Sequence, residues 1–389
     1  MKNCTTIFNQ LLNLISLGKF QKLVDKHNGD KYVKKFKTYH HFIALLYGQI
    51  TEKDSLRDIQ HPLNLEKGHL QFFSLPEIKK STLADANNKR DYRIFEDLFY
   101  VILEKTAELT PNHKFRFKNP LYSIDSSTID LCLNVFDWAK FRTAKGAIKL
   151  HTKLNHSGNI PDFLVITDGK CSDIRAAKTC FTFLPDSIIV MDKGYIDYKW
   201  LHSLTQQKVF FVTRAKENMV YDVTGQRAFT EGTGVVSDEE FVLTSPKAEK
   251  DYPEKLRMVK YYDYKTKKLY TFITNNFKLA AKTIADIYKD RWQVELFFKW
   301  IKQNLKIKSF WGTSENAVMC QIWVAMIFYL LVSYIKFQTK SSLSILEFTR
   351  IIRATLFKKV ALINLLSLRF NDIWKIRDNI RSNQLKLAF

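Results

Sequence analysis

SIIVMDKGY, residues 187–195, decides the fold class. Its apolar run from Ile188 to Met191 leaves no polar side, which suits a strand buried on both faces of a sheet. The run is short for a helix and stops at Asp192 and Gly194. Working outward, LYSIDSS (121–127), AIKLHTKLN (147–155) and DFLVITDG (162–169) read as strands divided by turn residues. CSDIRAAKTCFTFL (171–184) and DYKWLHSLTQQ (197–207) read as helices, and VFFVTRA (209–215) as a further buried strand. The order β-β-β-α-β-α-β predicts an α/β core with a mixed five-stranded sheet flanked by helices.

The flanks differ. Residues 1–115 read as several short basic helices, a composition that fits a helix-turn-helix-like DNA reader or a plain helical bundle. Residues 216–280 are polar, turn-rich and β-prone, and read as a β-rich insertion. The expected organisation is an all-α N-terminal DNA-binding domain over 1–115, a core over 116–215 and 281–336, the insertion over 216–280, and a helical C-terminal region over 337–389 that is a candidate for dimerisation. AVMCQIWVAMIFYLLVSYI (317–335) approaches the length of a membrane span. It carries Gln321 and Ser333 and is expected to be a buried core helix, with no membrane partner. The N-terminal segment, broken by Asn and Gln, reads as an amphipathic helix rather than a signal peptide.

Lys and Arg number 61 against 39 Asp and Glu, a net charge of +22 and a pI near 9.6. Such an excess calls for a polyanionic partner, nucleic acid before anionic membrane. Hydrophobic residues make up 46% and Phe alone numbers 30, enough for a sizeable core. Cys4, Cys132, Cys171, Cys180 and Cys320 have neither zinc-ligand nor disulfide-framework spacing. A reducing cytosol is expected.

IADIYKDRWQVELFFKWIKQNLKI (284–307) reads as one helix. At about 100° per residue, Tyr288, Arg291, Glu295, Lys299 and Lys302 form one narrow polar stripe on an otherwise apolar surface. Glu295 with Lys299 is also an ordinary surface pair. Asp125 ends the first strand and Asp192 the fourth. If those strands are neighbours, two carboxylates meet at strand ends, where open α/β sheets form sites. With Glu295 they make a hard oxygen donor set for divalent cations and phosphodiester chemistry. Lys149 and His151 alternate on the second strand, fitting either a pair that orients a phosphate or carboxylate, or ordinary strand positions. Asp173 is a candidate supporting partner.

The spacing Tyr288-x2-Arg291-x3-Glu295-x6-Lys302 resembles the Y-R-E-K signature of the IS-four family of DDE transposases. IDSST (124–128) is similar to that family's first Asp motif. MDKGY (191–195) is similar to its D-R-G-Y motif, with Lys193 in place of Arg. KKFKTYHHF (34–42) and STLADANNKR (81–90) resemble the branch with a helical N-terminal domain. The resemblance covers nearly the whole chain. It implies an RNase H-like core and catalysis by Asp125, Asp192 and Glu295 with two Mg²⁺ ions, for which Mn²⁺ can substitute. It implies cleavage at the terminal inverted repeats of an insertion sequence and joining of the 3′-OH ends to target DNA. Tyr288, Arg291 and Lys302 are then expected to hold terminal DNA phosphates, with Lys299, Lys193, Lys149 and His151 as further DNA-binding candidates. A homodimer on double-stranded DNA, in the cytoplasm at the nucleoid, follows by the same analogy. The alternative is a catalytically silent, transposase-derived DNA-binding protein. Residues 216–280 contain no Trp to stack a flipped base, so a hairpin step would fall to Tyr261, Tyr262 or Tyr264.

Overall fold

A computed structural model describes residues 5–131, 136, 138, 140–142, 145–304 and 310–362. The chain divides into two compact units, one of residues 1–110 with 300–389, the other of residues 111–299.

The first unit is helical. It contains α1 (Ile7–Leu12), α2 (Leu17–Lys26), α3 (Thr38–Ile50), α4 (Leu56–Leu65), α5 (Lys80–Lys89) and α6 (Arg93–Ala107). The apolar 317–335 run falls in this unit as a longer helix, Glu315–Thr339, opened by Ser314 accepting from the Ala317 N–H. It is long and apolar enough to cross a membrane, yet it is almost wholly buried among its neighbours. It packs against α6, α3 and α5. Trp311 presses on α3 at Gly48, where a Cβ would meet its ring at 2.6 Å. The chain from Lys79 to about Glu108 is two helices rather than one, because it turns at Arg90, whose guanidinium reaches back to the Phe36 and Lys37 carbonyls.

The second unit holds ten strands in one sheet: β1 (Leu121–Leu131), β2 (Lys140–Arg142), β3 (Lys145–Asn155), β4 (Ile160–Asp168), β5 (Ile188–Val190), β6 (Phe210–Arg214), β7 (Tyr221–Gln226), β8 (Val235–Leu243), β9 (Leu256–Asp263) and β10 (Lys268–Thr274). The order is β2-β3-β1-β5-β6-β10-β9-β8-β7, with β4 also on β3. Five strands were expected. Those five are β1, β3, β4, β5 and β6; β2 is a further short strand on β3, and the four strands of the 216–280 segment extend the central sheet through antiparallel pairing of β10 to β6. The expected boundary at 336 also differs from the observed division after Lys299.

β5 is buried on both sides, and strand alternation sorts the residues. Ile189 and Met191 pack with Ile124, Phe211 and Met258, on the side that carries the helices α7 (Asp173–Cys180), α8 (Tyr198–Gln206) and α9 (Pro246–Asp251). Ile188 and Val190 pack with Leu121, Val212, Val259 and Phe272 beneath Ile284 and Ile287 of α10 (Ala281–Asp290). The 284–307 segment, expected as one helix, is broken. α10 stops at Asp290, and α11 runs over Trp292–Asn304. Tight i to i+3 hydrogen bonds span the junction, Arg291 N to Tyr288 O and Val294 N to Arg291 O. The break has an anchor: Asp290 is tied to Lys114 Nζ at 2.5 Å and to His156 Nδ1 at 2.8 Å.

Candidate active site

Three neighbouring parallel strands build the site. Leu121 pairs with Ile188 and Ser123 with Val190. Ile188 pairs with Phe210 and Val190 with Val212. One further same-face step brings Asp125, Asp192 and Arg214 to one row on the α10 side, about one strand spacing apart, roughly 4.8 Å in an ideal pair. β1 runs on to Leu131, so Asp125 lies within that strand and not at its end; it is the pairing with β5 that ends just before it. Asp192 follows β5 and caps a short turn, its Oδ2 accepting from the Gly194 N–H at 3.3 Å.

Arg291 is the centre of the arrangement. It donates to Asp125 Oδ2 at 3.0 Å and to Glu295 Oε1 at 2.5 Å. Tyr288 donates its hydroxyl to Asp192 Oδ1 at 3.3 Å, and Arg214 donates to the same oxygen at 2.8 Å. Both guanidiniums lie 5.8 Å from the Tyr288 ring. The break after Asp290 permits this division, with Tyr288 turned to Asp192 and Arg291 with Glu295 turned to Asp125.

The two aspartate carboxyls are shifted in opposite directions. Burial pushes the Asp125 carboxyl above its ordinary range, against the Ser126 N–H and the Arg291 charge, while Glu295 and Asp173 push it further up. At Asp192 burial also pushes up, but the Arg214 hydrogen bond, the Gly194 N–H and the Arg214 charge together hold it below the ordinary range. Burial is the main cause that raises the Tyr288 hydroxyl.

The remaining candidates fall elsewhere. In the β1–β3 register Ser126 opposes His151 and Thr128 opposes Lys149, so both basic residues share the face opposite Asp125. There Lys149 Nζ and Ser126 Oγ donate to Asp173 Oδ1, at 3.1 and 2.6 Å. His151 is buried, and burial pushes its ring down to about 4. It is therefore neutral near pH 7 and offers a phosphate no charge. Lys149 alone of the two hydrogen-bonds Asp173, while His151 Nε2 meets Thr167 Oγ1 at 2.9 Å. Lys193 is half-exposed and pairs with Glu217 at 3.3 Å. Lys299 is exposed on α11; Lys302 lies on the last turn of α11, beyond the division after Lys299. Arg214 was missed from sequence, although Phe210, Val212 and Arg214 repeat the alternation of Ile188, Val190 and Asp192.

A transposase DDE domain matches residues 116–331, more than half of the chain. This chain belongs to the DDE transposases. A domain of unknown function matches residues 3–73. The chain is 35% identical to a putative transposase, y4zB, of Sinorhizobium fredii, over 71% of this chain and 77% of that one. It is 29% identical to a probable transposase for insertion sequence element IS5377 of Geobacillus stearothermophilus, over 72% of this chain and 74% of that one. Among solved structures, a piggyBac transposase synaptic complex with hairpin DNA aligns over 96% of this chain at 12% identity, with a TM-score of 0.43. The transposase is thus an enzyme of an insertion sequence, one that cleaves DNA and transfers strands, and its family depends on a divalent metal.

Among the described residues no three His, Cys, Asp or Glu side chains converge as a metal cluster. The donor set nevertheless suits a hard cation. Asp125 and Glu295 both turn an oxygen toward one guanidinium, so a positive group already occupies the position between them.

Proposed function

We propose that this transposase cuts the ends of its element with Asp125, Asp192 and Glu295 as the catalytic carboxylates. The observation that carries the reading is Arg291 spanning Asp125 and Glu295 while Tyr288, stacked beside it, hydrogen-bonds Asp192. One cation-centred network thereby links the β1 and β5 strands with the junction of α10 and α11. The core is read as RNase H-like, from the β4-β3-β1-β5-β6 order with β1, β5 and β6 parallel.

The three carboxylates would hold two Mg²⁺ ions, with Mn²⁺ as a substitute. When bound, such ions supply charge stabilisation for the attacking and leaving oxygens of an in-line displacement. The residues of the chain do the rest. Arg214 keeps Asp192 ionised. Arg291 and Tyr288 would leave the carboxylates and take up the phosphate next to the scissile bond, with Lys302, Lys299 and Lys193 on flanking phosphates. Asp173, held by Lys149 and Ser126, steadies the strand that carries Asp125. The partners would be the terminal inverted repeats and target DNA, bound by a homodimer in the cytoplasm.

The test is cleavage of a plasmid carrying the native flanking DNA of the gene, wild type beside Asp192→Ala. Breaks at two defined ends, lost in the variant with end binding kept, would support the reading. Loss of binding and cleavage together in a folded variant would refute the metal-site assignment. Specific binding by a wild type that never cleaves would leave a catalytically silent DNA-binding protein.

A further inference from the structure

The segment NGDKYVKKFK (28–37), between α2 and α3, is strained and rigid, and it presents its charges outward. Tyr32 has φ +61° and is 92% exposed. A bulky side chain in the left-handed region is an outlier that costs free energy, and such strain concentrates at functional positions. Asn28, at φ +52°, is left-handed as well. The loop is held from both ends. Asp30 Oδ1 accepts from the N–H and the hydroxyl of Thr38, at 2.7 and 2.8 Å. Lys37 Nζ donates to Val33 O at 2.7 Å. Arg90 donates to the Lys37 and Phe36 carbonyls and lies over the Phe36 ring. Nothing in this bracing needs an exposed tyrosine at the tip.

Around that tyrosine stand Lys31, Lys34 and Lys35, all exposed, with Lys31 Nζ 5.4 Å from the Tyr32 ring centre. The loop walls a cleft of about 860 Å³, and Lys79 and Lys89 line the cleft as well. Of its acidic residues, Asp85 faces Lys89 at 3.9 Å and Asp91 faces Arg93 at 3.4 Å. Lysines beside an exposed aromatic ring, on a braced loop, match what a nucleic-acid backbone and a base require together.

We infer that this loop is a DNA-contacting element of the helical unit. Lys31, Lys34, Lys35 and Lys79 would lie on backbone phosphates and the Tyr32 ring against a base at the element's end. The inference rests on the proposed end-cleaving function and adds to it a place where the end is gripped.

The experiment uses the full chain and a duplex of the native flanking DNA, titrated at several salt concentrations beside a scrambled duplex. For Lys34→Gln/Lys35→Gln, affinity should fall and the slope of log K against log salt should flatten by about 1.8, near 0.9 per lost phosphate contact. Tyr32→Gly should weaken binding about tenfold, the size of a lost base stack. Its melting temperature should hold or rise, because glycine accepts the positive φ. Tyr32→Phe should bind like wild type. Unchanged affinity and slope in folded variants, with a wild type that binds, would overturn the inference alone. A wild type that binds no duplex would overturn it together with the function it rests on. Loop-dependent binding without cleavage would support the inference and refute the catalytic reading.

Discussion

Asp290 offers a graded test of how the helix break is held. Its Oδ1 accepts from Lys114 and its Oδ2 from His156 Nδ1, while His156 Nε2 sits 2.7 Å from Ser123 Oγ on β1. The two contacts are unequal. The Lys114 side chain is 65% exposed, so that ion pair is worth at most about 1 kcal/mol. His156 is fully buried, and a hydrogen bond to a charged acceptor there is worth about 1.5–3 kcal/mol. Asp290→Asn keeps an acceptor for the imidazole and should cost about 1–2 kcal/mol. Asp290→Ala leaves a buried N–H without a partner, which adds its desolvation penalty and brings the cost to about 3–5 kcal/mol. For a unit of this size the melting temperature should fall roughly 5 °C for Asn and roughly 10–15 °C for Ala. Circular dichroism melts and urea transitions measure both. Cleavage adds a second signal. Asn should still cut, whereas Ala, below its melting point, should lose cutting before end binding, because Arg291 follows the freed residue. A cost below about 1 kcal/mol for Ala, or equal costs for the two variants, would refute the anchoring argument.

Other outcomes follow from the same contacts. Arg257 and Asp238 form a buried bidentate pair at 2.8 and 2.7 Å, and Arg257 also caps the Asn276 and Leu279 carbonyls. Arg257→Ala should therefore cost about 3–5 kcal/mol in urea unfolding. Arg214→Ala removes the group that holds Asp192 low, so the acid limb of the cleavage-rate profile should move to higher pH; an unmoved limb would show that Arg214 does not set that charge. His41 is fully buried against Asn87, and burial pushes its ring down to about 3. The unfolded ring titrates near 6.5, so its contribution is complete above about pH 6.5 and is lost as pH falls toward 3. His41→Gln should flatten stability against pH in that window. Asp290 works in the same sense, in a lower pH window. Burial raises its carboxyl, but His156 and Lys114 hold it below the ordinary range. Its stabilisation is present above the unfolded value, about 3.9, and is lost as pH falls through the depressed folded value. Asp290→Asn should therefore flatten the acid end of the same curve.

Local pattern carried β1, β3, β4, β5 and β6 well, since each is marked by its own residues, whereas the three-residue β2 is not. The apolar run at 188–191 predicts two-sided burial, and Ile188 and Ile189 do pack on opposite faces. What failed needed partners distant in sequence. Nothing in residues 268–274 says that they pair with 212–214, so an extension of the central sheet reads only as a β-rich insertion. Lys149 and His151 do share a face, as their alternation requires. Which face depends on the register against β1, and a shift of one residue there exchanges the two sides. The 284–307 stripe hides its break because Arg291 stays helical in its dihedrals; the reason for the break is Asp290, whose partners lie at Lys114 and His156.

Arg214 argues the converse. It was legible, because once β5 and β6 are taken as parallel neighbours the alternation that carries Asp192 to the site carries Arg214 there too. A search for acidic residues passes over it. Yet carboxylates taken part-way out of water need a cation beside them to stay ionised before any metal arrives. On that argument the cations are part of the proposed site: Arg214 at Asp192 and Arg291 between Asp125 and Glu295 each hold partly buried negative charge. DNA phosphate would draw the Arg291 guanidinium away at the moment when the carboxylates turn to a divalent ion, so one event would prepare both halves of the chemistry. The consequence is measurable. Arg291→Ala should strengthen Mn²⁺ binding by the free protein, read by electron paramagnetic resonance, while weakening binding of DNA ends. Weaker Mn²⁺ binding in a folded Arg291→Ala protein would refute the exchange.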